Sequence, residues 1–189
     1  MDVHISEDAF WGLLVSAIEV YKKECFGFLI GYRDGDNFIV EHALSFQSAR
    51  RYNTGVIENK RAMRRIKKFL SNIPPLSLVG DFHSHAGWGD LKAVPTPSSQ
   101  DVLEMQANTV YIIIEVNDKR KSVPWNYNED GALSGTTDDY YFKVVAYYLD
   151  PHSRVKRANI FCPYAIGFDA KVKRVNGRRI SYKTVGKSA

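Results

Sequence analysis

Cysteine is scarce in this chain: Cys25 and Cys162 are the two present in 189 residues. Two distant thiols make neither a disulfide framework nor a thiolate zinc cluster, and such usage fits a reducing compartment. Cys25 sits in an apolar run and reads as a small buried hydrophobe. Long hydrophobic runs are missing as well. FGFLIG at 26–31 and VYIIIEV at 110–116 fall far short of the about 20 residues a membrane helix needs. The opening MDVHISEDAF lacks the basic start and apolar stretch of a signal peptide. The expectation is a cytoplasmic protein with no membrane association.

Acids are nearly absent from the C-terminal part. From Pro151 onward ten basic residues stand against Asp169 alone, whereas the first 150 residues carry sixteen basic and twenty acidic ones; the whole chain nets +5. A basic tail of this kind steers an acidic protein partner or nucleic acid, or is simply a solvated terminus. No repeat, low-complexity segment or clear linker interrupts the chain, and 189 residues with 44% hydrophobic and 25% charged content suit one globular domain.

What is present reads as alternating helices and strands. Ser6, followed by Glu7 and Asp8, is a helix cap with acids in the first turn. Phe10, Trp11, Leu14, Val15 and Ile18 then recur at helical spacing and predict one apolar face. Phe26 to Gly31 reads as a buried strand, Arg33 to Asp36 as a turn, and NFIVEHAL as the returning strand of a hairpin. A second helix is predicted from Glu58 to Leu70. Met63, Ile66 and Leu70 point inward on it, and Lys60, Arg61, Arg64, Arg65, Lys67 and Lys68 lie on the other face. Leu76 to Phe82 is a strand, Ser98 or Ser99 caps a short helix through about Gln106, Val110 to Val116 is a central strand, and Gly131 to Leu149 holds two more. This order predicts an α/β domain: one mixed sheet with helices packed on it. The last 20 or so residues are expected to be loosely held.

Three stretches carry chemistry. On an extended backbone, His83 and His85 point to one side while Ser84 faces away, so both imidazoles can reach one ion. Taken alone, such a pair also reads as surface or satisfied histidines. Its place at the end of a buried strand is where open α/β sheets put their sites. Ser98-Ser99-Gln100-Asp101 has the spacing of a capping box, which needs no function. Asp101 could equally give a third, oxygen ligand, and two His with one carboxylate leave a tetrahedral zinc its open position. Glu24 stands at a helix-to-strand junction, before Phe26-Gly27-Phe28-Leu29-Ile30-Gly31; by itself it is an ordinary charged helix end.

Together these stretches resemble the JAMM metalloproteases of the MPN (JAB) domain. Their pattern is a glutamate opening a strand of the form E-x-x-G-x-L-x-G, then H-[ST]-H, then S-x-x-D. The matching residues are Glu24 with Gly27, Leu29 or Ile30 and Gly31; His83-Ser84-His85; and Ser98 with Asp101. The resemblance covers Val3 to Val116. It implies a three-layer sandwich, a central mixed β-sheet flanked by helices in the cytidine deaminase-like manner. It also implies a catalytic domain over 1–150, with 151–189 a basic segment packed on it and ending loosely. The implied cofactor is Zn2+, held by His83, His85 and Asp101, with Glu24 as general base and Ser98 as oxyanion donor. The implied reaction is hydrolysis of an amide at the C-terminus of a ubiquitin-like or sulfur-carrier protein. The chain departs from the pattern between His85 and Ser98, where Ala86 to Pro97 is longer than usual and Ala86 replaces a common proline. Gly87-Trp88-Gly89 is similar to a Gly-aromatic-Gly of eukaryotic members. Trp88, Leu91 and Val94 are candidate contacts for a substrate tail, or pack the loop onto the body.

Other readings remain. Asp81-Phe82-His83-Ser84-His85 resembles the D-x-H-x-H entry motif of PHP and amidohydrolase enzymes. Those need a barrel of about 250 residues and further histidines, and here His152 alone follows. A non-catalytic MPN scaffold usually lacks a ligand, and none is missing. A nucleic-acid-binding module would rest on the basic stretches alone, without zinc-finger spacing or a stacking motif.

Overall fold

The computed structural model describes residues 1–48, 50–52, 55–57, 59–87, 91–167, 173–175 and 179–181. β1 (Asp2–Ile5) leads into α1 (Glu7–Glu19) and the hairpin of β2 (Phe26–Asp34) and β3 (Asn37–Ser45). A small separate hairpin, β4 (Arg50–Tyr52) and β5 (Gly55–Ile57), precedes α2 (Lys60–Leu70), β6 (Ser77–Ala86), α3 (Ser99–Glu104) and β7 (Val110–Asp118). Then come β8 (Asn126–Tyr127), β9 (Leu133–Thr137), β10 (Tyr140–Leu149), β11 (Val155–Phe161) and α4 (Pro163–Gly167), with a last hairpin of β12 (Lys173–Val175) and β13 (Arg179–Ser181).

Local signals place most of these elements. Ser6 caps α1, its hydroxyl oxygen accepting from the Ala9 N–H at 3.1 Å. Asn59 caps α2 by accepting from the N–H groups of Arg61 and Ala62; Glu58, where that helix was expected to start, lies outside the described residues. The buried face of α1 differs from the expected one. Ala9, Phe10, Leu13, Leu14 and Ala17 are buried, while Val15 is 63% exposed. The helix approaches β3 closely at Gly12, where a Cβ would lie 2.3 Å from the Ala43 carbonyl oxygen, a role that hydrophobicity alone does not signal.

The expected helix-flanked three-layer sandwich is not what forms. The strand order is β11-β1-β3-β2-β6-β7-β10-β9-β8, and β11 also pairs with β10, so the sheet closes into a barrel of seven strands. Parallel and antiparallel pairs both occur in it. The closure has a clear origin in β10. One edge of this long strand pairs with β7 from Tyr140 to Tyr147. Its other edge is shared, β9 taking Tyr140 to Val144 and β11 taking Ala146 to Leu149. β11 then continues in parallel pairing with β1 from Asn159 to Phe161, which joins the two ends of the sheet. β1 has four residues and β11 carries Lys156 and Arg157, so both have weak local patterns, and without them the same strand list reads as an open sheet. Among the described helices, only α1 and α2 exceed two turns.

Bending comes from β2. Its register with β3 shifts between Ile30 and Gly31, and its register with β6 shifts between Leu29 and Ile30. A bulge of this kind bends and twists a strand. Two glycines of β2 sit where no side chain fits: a Cβ at Gly27 would lie 2.4 Å from the Leu44 carbonyl oxygen, and one at Gly31 would lie 1.8 Å from that of Ile39. They are there because β3 passes too close for a side chain.

α1 joins the strands in the main apolar cluster, packing Phe10 and Leu13 with Val3, Leu29, Phe38, Phe82, Ile112, Ile114 and Phe142. Burying each large side chain of this set contributes about 1.5–3 kcal/mol. α2 lays Ala62, Met63 and Ile66 against Phe26, Phe28 and Phe46 in a separate cluster. A third cluster sets Met105, just after α3, against Tyr111, Ile113, Val145 and Tyr147. No helix among the described residues is long and apolar enough to cross a membrane.

Candidate metal centre

β6 runs on past Phe82, the expected end of its strand, and carries the histidine pair within it. Strand alternation therefore separates the three motif side chains. Ser84 is buried at 1% exposure. Its hydroxyl oxygen accepts from the Cys25 N–H at 2.9 Å, and its own N–H donates to the Cys25 carbonyl at 3.3 Å. His83 and His85 point to the other side, their Nε2 atoms 3.1 Å apart.

Asp101 arrives from α3, with its Oδ1 3.6 Å from His83 Nε2. One ligand atom from each of His83, His85 and Asp101 lies within 4.8 Å of the other two. Tetrahedral zinc with bonds of 2.0–2.1 Å has donor atoms about 3.3 Å apart, so these spacings suit one ion shared by the three. The 3.6 Å separation is too long for a hydrogen bond, and it is not an ion pair near neutral pH. Burial, helped by His85 and opposed by Asp101, holds the His83 imidazole down at about 4, so it is neutral. His85 Nδ1 lies 2.6 Å from the Val94 carbonyl oxygen. That oxygen can only accept, so Nδ1 carries the proton and Nε2 presents its lone pair, as a ligating imidazole requires.

The capping box and the ligand reading of Ser98 and Asp101 coexist. The Ser98 N–H donates to Asp101 Oδ2 at 2.6 Å, and Ser98 Oγ accepts from the Asp101 N–H at 3.2 Å. The box thus uses one carboxylate oxygen and leaves the other facing the histidines. It also uses a lone pair of the Ser98 hydroxyl, whose proton stays available.

Glu24 precedes β2. Phe26 pairs with His83, and the Cys25–Ser84 hydrogen bonds continue that ladder, so one further step sets Glu24 beside His85. Glu24 is partly buried. Burial first, then the charge of Asp101, raises its carboxyl from 4.5 to about 7.

Of the loop candidates, Leu91 and Val94 are exposed, at 74% and 60%, and Trp88 lies outside the described residues. His152 stands in an exposed turn, its N–H on Asp150, and does not join the three ligand candidates. Sequence reading missed the residues that hold the loop: Asn117, which accepts from the Ala93 N–H at 3.0 Å, and Tyr147, whose hydroxyl donates to the Pro95 carbonyl at 2.6 Å. It missed Glu115 too, which pairs in register with His85 and accepts from Asn117. A polar residue two positions after Glu115 in an otherwise apolar strand was the available signal.

No curated protein matches this chain. Among solved structures, a protein from Desulfitobacterium hafniense, determined in solution, is similar over 85% of this chain and 92% of its own, with 19% identity and a TM-score of 0.58; this shows likeness of fold. Residues 7–127 match the family described as prokaryotic homologs of the JAB domain, a span that contains Glu24, both histidines, Ser98 and Asp101. The chain belongs to this family of JAB-domain homologs.

Proposed function

We propose that this protein is a zinc-dependent metallopeptidase that hydrolyses an amide at the C-terminus of a ubiquitin-like or sulfur-carrier protein. The observation that carries the reading is the convergence of two imidazole Nε2 atoms and one carboxylate oxygen at the spacing of a single ion's ligands. Two histidines and one carboxylate are a donor set of catalytic zinc, with a fourth position for water or substrate. A zinc ion held there supplies Lewis acidity, making water a stronger acid and polarising a scissile carbonyl.

The proton work falls to Glu24. Its carboxylate takes a proton from the attacking water and returns it to the leaving amine. In the metal-free protein, burial and then the charge of Asp101 raise this carboxyl above the ordinary carboxylate range, which favours proton uptake by the group placed for it. The Ser98 hydroxyl donates a hydrogen bond to the developing oxyanion, a contact worth about 10²–10³ in rate where it has been removed elsewhere. Exposed Leu91 and Val94 offer apolar contacts to an extended tail. The cations on the outer face of α2, all exposed, steer an acidic substrate protein toward the site. A scaffold that only mediates subunit contacts has no use for an intact ligand set.

The test is Glu24→Gln, assayed with a ubiquitin-like protein carrying a C-terminal fluorogenic amide. The variant is expected to bind zinc stoichiometrically and to lose about 10²–10⁴ of the hydrolysis rate. Wild-type turnover in it would remove Glu24 from the mechanism. Salt-dependent nucleic-acid binding by a chain that takes no zinc and hydrolyses nothing would replace the whole reading.

A further inference from the structure

We propose that Asn117 and Tyr147 are positioning residues for the ligand His85, acting through the backbone of the loop before α3. The proposal rests on the reading that His83, His85 and Asp101 hold a metal.

Three consecutive loop residues are each tied to a different strand. Ala93 donates its N–H to Asn117 Oδ1 on β7 at 3.0 Å. Val94 offers its carbonyl to His85 Nδ1 on β6 at 2.6 Å. Pro95 offers its carbonyl to the Tyr147 hydroxyl on β10 at 2.6 Å. The Val94 carbonyl thus sits between two tethered neighbours. The Val94 side chain is 60% exposed, so its own packing does not hold the carbonyl. Its place opposite His85 is set by the residues on either side, Ala93 and Pro95, which are buried and tethered.

The two tethers are themselves braced. Asn117 donates from Nδ2 to Glu115 Oε1 at 2.7 Å, which fixes the amide so that Oδ1 faces Ala93. Glu115 pairs in register with His85 on one side and Lys143 on the other. Lys143 donates to Asp130 at 2.9 Å, and Asp130 also accepts from Arg157 at 2.8 Å. Arg157 lies over the Tyr147 ring, 5.8 Å from its centroid. One connected polar belt across β7, β10 and β11 therefore reaches the loop at the residues before and after Val94. A ligating imidazole depends on the partner of its other nitrogen for tautomer and aim, and loss of that partner typically weakens metal binding by about 10–100-fold.

The full chain is compared with Tyr147→Phe, which removes one hydroxyl, and Asn117→Ser, which removes the amide. Tyr148→Phe is the comparator, because Tyr148 packs toward the main core on the opposite face of β10. Two quantities are read: Co2+ affinity by chelator competition, and the 15N shifts of the His85 ring in metal-free protein at mildly alkaline pH. Tyr147→Phe and Asn117→Ser are each expected to bind Co2+ about tenfold more weakly, with His85 redistributed between its two neutral tautomers. Tyr148→Phe is expected to match wild type in both. Wild-type affinity and an unchanged His85 tautomer in folded Tyr147→Phe and Asn117→Ser would overturn the proposal, as would failure of both to fold. If wild-type protein binds no Co2+, the metal reading fails by itself, and the His85 tautomer in metal-free protein still decides the positioning role.

Discussion

The two faces of β6 and β7 differ in kind although one backbone builds both. Toward the main core, Phe82, Ile112, Ile114 and Val116 are 0–1% exposed and purely apolar, and the one polar group among them, the Ser84 hydroxyl, is satisfied by a backbone amide. On the other face, Tyr111 and Ile113 begin as apolar packing, and then His83, His85, Glu115 and Asn117 turn it polar. The change coincides with what covers it, a loop presenting carbonyl and amide groups where elsewhere side chains pack. A period of two residues is thus enough to set stability and chemistry back to back, and a one-residue slip would exchange them.

Breaking one face at a time separates the two roles. Phe82→Ala on the inner face is expected to cost about 3–5 kcal/mol, read from urea unfolding of metal-free protein, with zinc still bound stoichiometrically by the molecules that remain folded. His85→Ala on the outer face should do the reverse, abolishing zinc binding by metal analysis while lowering metal-free stability far less than Phe82→Ala. If both changes cost the same stability, the faces are not functionally distinct.

Ser84→Ala tests the join between them. It removes the Ser84 hydroxyl that accepts from the Cys25 N–H next to Glu24, at an expected cost of about 0.5–1.5 kcal/mol in urea unfolding, with the zinc ligands intact.

Titration sharpens the same comparison by the smallest effect. In metal-free protein, the Glu24 carboxyl is raised from 4.5 to about 7, so its proton is held more tightly in the folded state. That stabilisation is complete below about 4.5 and is lost as pH rises through 7. The His83 imidazole is lowered from 6.5 to about 4, so its contribution is present above 6.5 and is lost as pH falls through 4. Between about 4.5 and 6.5 the two oppose each other. Glu24→Gln removes the first and should show stability rising with pH more steeply than wild type across that window, read from urea midpoints. Parallel curves would mean that Glu24 is not buried against Asp101 as described.

The sequence by itself determined the hairpin of β2 and β3, both long helices, the Ser6 cap of the first and the central strand β7, because each rests on spacing within a few residues. Turn chemistry, capping and strand alternation are local. It also determined that His83 and His85 share a side while Ser84 does not, for the same reason. Only the tertiary structure decided that the sheet closes. Closure depends on which edges meet: β11 reaches β10 through a local hairpin, but its pairing with β1 joins Asp2 to Asn159, chain segments 157 residues apart, a contact that no local pattern encodes. The same holds at the site. Asp101's cap was readable, but its second oxygen facing His83, Glu24's raised carboxyl, and the tethers from Asn117 and Tyr147 to consecutive loop residues all arise from elements brought together by packing, where burial and neighbouring charge set the chemistry.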